Sequence, residues 1–191
     1  MISAENHPYH AWLSFLLNNG LRRRLHPPPE NLVSALGVKT TDAVLDFGCG
    51  PGFFTIPFAK VARDVVAVDC QPSMLVKVSR SAKKKGVKIK ALQSDGQSIP
   101  LPDDSIDLIF LSKVYHELAD KRKVLSELRR VLKAGGRIVI REAAKSSLIK
   151  LGPPIVNPTE LSNDLAAAGF ITLASAVDPS DDKAAITTAC K

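Results

Sequence analysis

Cysteine is scarce in this chain, and its three cysteines are badly placed for the chemistry cysteines usually carry. Cys49, Cys70 and Cys190 form no CxxC pair, no metal-type spacing with histidine and no even disulfide framework. That argues against a zinc module, a dithiol redox pair and a disulfide-stapled scaffold. Cys49 and Cys70 each close an apolar, strand-like run, where a thiol acts as a small core hydrophobe. Long hydrophobic runs are missing as well, since none reaches the roughly 18–20 residues that cross a bilayer. No secretory pattern is visible, because the apolar patch Trp12–Leu17 precedes the basic cluster Arg22–Arg24 instead of following it. Internal repeats and low-complexity tracts are also lacking. The expectation is a soluble, cytoplasmic protein without a membrane span or a metal centre.

What is present is ordinary globular composition. The chain has 191 residues, 45% hydrophobic and 24% charged, enough for one domain with a substantial core. Its net charge is +7, from 26 basic and 19 acidic residues. Such a surface attracts phosphates and acidic substrates. The excess is local, in Arg22–Arg24, Lys83–Lys85 and Arg129–Lys133. The last two fall late in helix-like segments, where cations complement the helix dipole. A nucleic-acid partner is therefore the lesser alternative.

The pattern along the chain divides it near residue 40. Residues 8–25 read as an amphipathic helix broken near Asn18–Gly20, Pro27–Pro29 as a stiff spacer, and Glu30–Leu36 as a short helix closed by Gly37. From residue 43, strands and helices alternate. Strands are expected at Ala43–Phe47, Val65–Asp69, Val87–Leu92, Ser105–Leu111 and Arg137–Arg141. Helices are expected over about Phe53–Val61, Pro72–Lys84 and Asp120–Leu132, the last closed by Gly135–Gly136. This alternation predicts right-handed βαβ units and a parallel sheet with helices on both faces. The strands are unbroken apolar runs, as a sheet buried on both faces requires. Asn157–Glu160 carries an N-cap, a proline at N1 and an acid at N3, so a helix runs to about Ala168. Phe170–Val177 and Ala184–Cys190 then have only DPSDDK between them, which predicts an antiparallel hairpin at the end of the sheet.

Chemistry concentrates in three places. The first is DFGCGPGFFT, where Gly48, Gly50 and Gly52 let the backbone approach a ligand at the sheet's carboxyl edge, behind Asp46. A dinucleotide fingerprint needs G-x-G-x-x-G, and the position of its third glycine is Phe53. The second is Asp69, at the end of VVAVD, where a carboxylate accepts the hydroxyls of a ribose or, alternatively, caps the next helix. The third is Asp95–Gly96 after the third strand, suited to an exocyclic amine.

Over residues 40–191 these stretches resemble class I S-adenosylmethionine-dependent methyltransferases, especially the ubiquinone/menaquinone-type small-molecule branch. VLDFGCGPGFFT is similar to the family's first motif, VVAVDCQPSML to its ribose-binding stretch, and SDGQSIPLPDDSIDLIFLS to its third and fourth. LSELRRVLKAGGRIVIRE is similar to the family's fifth strand and the helix before it. The resemblance implies an α/β, Rossmann-like, doubly wound sheet of seven mostly parallel strands with a C-terminal antiparallel hairpin. It implies S-adenosyl-L-methionine as cofactor and S-adenosyl-L-homocysteine as product. Carried over by position, Gly48, Gly50 and Gly52 wrap the methionine part of the cofactor and Asp46 reaches its amino group. Asp69 holds the ribose, with Cys70, Gln71 and Met74 beside the adenine. Asp95 and Gly96 fix the adenine edge, and Ser112 faces the methyl group.

Methyl transfer needs alignment and exclusion of water, and a proton acceptor only when the nucleophile must lose a proton. KVYHE, after the fourth strand, supplies the acceptors: His116 first, then Tyr115 and Glu117. His116 serves equally well as a helix cap or a packing residue. Residues 1–39 form an N-terminal helical segment that either caps the substrate, with Tyr9, His10 and Trp12 lining the lid, or docks its apolar stripe on the sheet's helices. The leading expectation is an enzyme methylating a small molecule. An RNA- or protein-directed methyltransferase, an NAD-linked dehydrogenase and a non-catalytic cofactor-binding subunit are the alternatives.

Overall fold

A computed structural model describes residues 27–144 and 155–191; the expected helix over 8–25, with Tyr9, His10 and Trp12, lies outside the described residues. The elements run α1 (Pro29–Ala35), β1 (Ala43–Phe47), α2 (Thr55–Ala59), β2 (Asp64–Asp69), α3 (Pro72–Lys85), β3 (Lys90–Gln93) and β4 (Ile106–Ser112). A 3-10 turn (Tyr115–Glu117) follows, then α4 (Lys121–Val131), β5 (Leu132–Ala143), α5 (Pro158–Ala167), β6 (Ile171–Asp178) and β7 (Asp181–Cys190). Seven strands form one sheet in the order β3-β2-β1-β4-β5-β7-β6. The pairs β1–β2, β2–β3, β1–β4 and β4–β5 are parallel, whereas β7 is antiparallel to both β5 and β6. The expected seven-stranded, doubly wound architecture is what forms. β7 lies inside the sheet, so of the hairpin only β6 is an edge strand, with β3 at the opposite edge.

Burial explains why these runs became strands. Every residue of β1 is buried, and so is β2 after its first residue. Neighbouring residues serve opposite faces, as the two-residue period of a strand dictates. Leu45, Phe47, Leu111, Ile138 and Ile140 pack with Leu125 and Leu128 of α4 and Leu161 and Leu165 of α5. Val44, Leu108, Phe110 and Val139 pack on the other face with Leu32 and Val33 of α1 and Phe54 and Phe58. Part of the segment before residue 40 thus belongs to the core.

Several boundaries moved, each for a local reason. β3 starts at Lys90 because Gly86 is left-handed (φ 67°) and the Val87 N–H still bonds the Ala82 carbonyl, closing α3. Gly135–Gly136 does not close α4. Leu132 is already extended, and the two glycines lie within β5, where the register against β4 shifts between Ile106 and Leu108. The hairpin link is only residues 179–180, because Asp178 Oδ1 accepts from both the backbone N–H and the hydroxyl of Ser180 (2.8 and 2.7 Å). At α5 the reading of the cap is accurate: Asn157 Oδ1 accepts from the Thr159 N–H at 2.9 Å.

Candidate active site

Parallel winding brings the ends of β1, β2, β4 and β5 to one edge, and the residues singled out in the sequence collect there. The loop after β1 is fastened to β2, with the N–H groups of Gly48 and Cys49 both donating to the Val68 carbonyl (2.8 and 3.0 Å). Gly50 donates to Asp69 Oδ2 at 2.9 Å, and Gln71 N–H donates to Asp69 Oδ1 at 2.9 Å. One carboxylate thereby joins the glycine loop to the start of α3. Asp46 is buried beneath the loop, accepting from Thr55 Oγ1 at 2.5 Å.

The loop glycines differ in what surrounds them. All three have positive φ (70°, 52° and 94° for Gly48, Gly50 and Gly52). A Cβ on Gly48 would strike the Val114 side chain, and one on Gly52 would lie 2.7 Å from Val78 Cγ2. A Cβ on Gly50 would meet nothing within 4 Å. Gly48 and Gly52 therefore let the chain pack, while Gly50 faces open space where a ligand's atoms fit against bare backbone. Gly96 is a packing glycine too: its Cβ would lie 2.5 Å from Phe47 Cζ.

Burial sets the electrostatics here. It pushes the Asp46 carboxyl up to about 7, against the Thr55 hydrogen bond and with help from the charge of Asp69. Asp69 is raised by burial too, which outweighs its two backbone donors. Burial and the neighbouring carboxylates push the Cys49 thiol far up, which makes it inert. Cys70, at the exposed mouth, is raised by partial shielding and then by Asp69, Glu117 and Asp95. Asp95 itself is exposed, its Oδ1 accepting from Gln97 N–H at 3.0 Å. Met74 is buried under α3 and Gln71 is half-buried beside it.

The turn after β4 sorts its three titratable residues. Tyr115 is fully buried and its hydroxyl donates to Asp164 Oδ2 of α5, with Lys121 Nζ 4.7 Å from the ring centroid. Burial and that acid hold the phenol far above its ordinary range. Its hydroxyl is thus committed to anchoring α5. Glu117 lies toward the surface. His116 points inward, its side chain 8% exposed, with Nδ1 2.8 Å from Glu142 Oε2. Its Nε2 is buried without a hydrogen-bond partner among the described residues, 3.7 Å from Glu117 Oε1. Burial pulls the imidazole pKa down, but the hydrogen bond and charge of Glu142, with Glu117, outweigh it and Lys113, and the net direction is up.

The other face of β5 carries Arg141, also missed in the sequence. Its guanidinium bonds Asp178 and Asp181 at 2.6 Å each, reaches Ser112 Oγ at 3.5 Å and lies 5.7 Å from the Phe54 ring centroid. With Phe53, Phe54, Pro29 and Lys113 it lines a shallow recess open to solvent. Lys113 is left-handed (φ 59°), a strained conformation for lysine that turns the chain from β4 toward His116.

Glu142 and Asp164 were not among the residues read from the sequence. Glu142 follows RIVIR and looks like an ordinary strand-end acid. The available signal was its phase: it shares a face with Ile138 and Ile140, where a carboxylate must find a partner.

An S-adenosylmethionine-type cofactor fits this edge on structural grounds. The open cradle at Gly50 and the two buried carboxylates Asp46 and Asp69 offer shape and charge for an adenosyl ribose and an amino-acid cation. Among the described residues no cluster of metal-ligating side chains exists, and no helix is long and apolar enough to cross a membrane.

Comparison with known proteins agrees. Residues 45–140 match the family described as "Methyltransferase domain". The ubiquinone/menaquinone biosynthesis C-methyltransferase UbiE of Marinomonas sp. is 32% identical over 136 residues, 68% of this chain and 53% of that protein. The uncharacterized methyltransferase YcgJ of Bacillus subtilis is 36% identical over 98 residues, 51% of this chain and 39% of that one. The chain therefore spans about half the length, or less, of these curated relatives. A crystal structure of a SAM-dependent methyltransferase from Aquifex aeolicus superposes with a TM-score of 0.82 at 28% identity, covering 93% of this chain and 96% of its own. These matches lead to one conclusion: the chain belongs to the methyltransferase-domain family and has the fold of class I S-adenosylmethionine-dependent methyltransferases.

Proposed function

We propose that this enzyme methylates a small molecule and that His116 takes the acceptor's proton. The observation that carries the reading is the buried Nε2 of His116, which makes no hydrogen bond among the described residues and has Glu117 Oε1 3.7 Å away, while the other nitrogen is fixed by Glu142. A buried polar atom without a partner is costly, and it signals a group waiting for a ligand. When bound, the cofactor supplies a methyl group already activated on a sulfonium, so the protein has only to align, exclude water and manage one proton.

The remaining roles belong to the same reading. Gly50 receives the methionine part of the cofactor between Gly48 and Gly52, and Asp46 meets its amino group. Asp69 accepts from the ribose with the lone pairs that its two backbone donors leave free. Cys70, Gln71 and Met74 flank the adenine, Asp95 and Gly96 meet its edge, and Ser112 faces the methyl group. Pro27 and Pro29, where the described residues begin, line the recess beside Phe53.

A small acceptor is supported by the relative UbiE, a ubiquinone/menaquinone biosynthesis C-methyltransferase. It is supported also by where the charge lies. Lys83, Lys84 and Lys85 occupy the last turn of α3, which runs back to the amino end of the strands, away from the crevice. A nucleic acid bound there would not meet His116. The test is incubation of the protein and S-adenosylmethionine labelled in its methyl group with cell extract, followed by size fractionation. Label in the small-molecule fraction is expected. Label that stays with protein or RNA overturns the reading.

A further inference from the structure

We propose that Glu142 is the positioning residue of this site: its carboxylate spans His116 Nδ1 and the Tyr115 amide, and so holds the imidazole in the one tautomer that leaves Nε2 a proton acceptor. The inference rests on the reading of His116 as proton acceptor.

The argument is one of donors and acceptors. An ionised carboxylate only accepts, so both groups it touches must donate. Glu142 Oε1 takes the Tyr115 N–H at 2.8 Å, and Oε2 lies 2.8 Å from His116 Nδ1. Nδ1 therefore carries the hydrogen in the neutral ring, and the lone pair falls to Nε2. Both side chains are sequestered, 8% exposed for His116 and 4% for Glu142. A buried carboxylate is tolerated because both oxygens are engaged. The same carboxylate fixes the turn's backbone and the ring's rotation, so ring and β5 move as one body.

The arrangement also favours the product of proton transfer. As the acceptor's proton passes to Nε2, the electron pair it leaves forms the new bond to the methyl carbon, and the pair of the broken carbon–sulfur bond stays on sulfur. The imidazolium then carries its charge between Glu142 at Nδ1 and Glu117, whose Oε1 lies 3.7 Å from Nε2, with Lys113 the only opposing charge among the described groups that act on it. Glu142 orients the base and stabilises its charged form without touching the acceptor.

The experiment is long-range proton–nitrogen NMR of the imidazoles in the nitrogen-15-labelled full chain, with S-adenosylhomocysteine as the bound probe. His116 is assigned by the loss of its signals in His116→Gln. Above its midpoint, wild-type His116 should show the protonated pattern on Nδ1 and the bare pattern on Nε2. Glu142→Gln offers one oxygen and one amide group to two donors. It should move the proton to Nε2 or mix the tautomers, lower the His116 midpoint and reduce label transfer from extract at least about tenfold. A variant that keeps the wild-type tautomer and midpoint overturns the proposal. So does wild-type protein with the proton on Nε2, a readout that survives if the variant fails to fold. A wild-type rate in His116→Gln sinks the reading of His116 instead, whatever the tautomer.

Discussion

Gly50 donates its backbone N–H to Asp69 Oδ2 at 2.9 Å, so the acid that ends β2 also closes the glycine loop that follows β1. Because Asp69 Oδ1 takes the Gln71 N–H, one side chain organises both walls of the crevice. Asp69→Ala strands two backbone donors, each bond to a charged acceptor contributing about 1.5–3 kcal/mol. The variant should lose cofactor affinity by at least about tenfold in equilibrium dialysis, with a visible fall in thermal midpoint. Unchanged affinity would show that the carboxylate is only a loop clasp.

Two neighbouring glycines should respond differently to one methyl group. Gly50→Ala suffers only the left-handed conformation (φ 52°), about 1–2 kcal/mol, with no collision. Gly52→Ala adds contact with Val78 Cγ2 at 2.7 Å. The first variant should fold and lose the ligand-induced rise in melting temperature; the second should be markedly less stable even without ligand. Equal melting temperatures for the two would contradict this division of labour.

Asp46 gives a pH dependence with a definite sign. Its carboxyl rises from 3.8 to about 7 in the fold, so the group costs stability as pH climbs from about 4 to 7, and that cost stays constant above. Asp46→Asn should therefore raise the melting temperature of the ligand-free protein at pH 8 and leave it unchanged at pH 4. Cofactor binding near pH 7 should release a proton in the wild type and less in the variant. Calorimetry in buffers of different ionisation enthalpy reads this directly.

Arg141 is buried between Asp178 and Asp181, both almost fully enclosed. Arg141→Met leaves two carboxylates without their counter-ion, a loss of roughly 3–5 kcal/mol. Urea unfolding should show it, and Asp178→Asn combined with Arg141→Met should recover part of the loss. An unaltered urea midpoint would mean that solvent already reaches the triad.

The parts of this molecule legible in its sequence are those set by local pattern. VLDFGCGPG, VVAVD and the Asn157–Glu160 cap act through near neighbours, so strand, turn and helix start could be read directly. Partnerships across the sheet were not legible. His116 was visible as a base, but its meaning depends on Glu142, 26 residues away on another strand. Tyr115 stood as a second candidate until the fold joined it to Asp164 on α5. Gly135–Gly136 looked like a helix stop, but the position of β4 drew them into β5. In each case a distant strand or helix decided between two local readings.

The most direct test of the account is calorimetric titration of S-adenosylmethionine into the full chain, with Gly50→Ala alongside. The account predicts saturable binding at one site per chain in the wild type and its loss in the variant. Absence of binding heat in the wild type across buffers, or undiminished binding in the variant, would contradict a cofactor seated on the open backbone at Gly50.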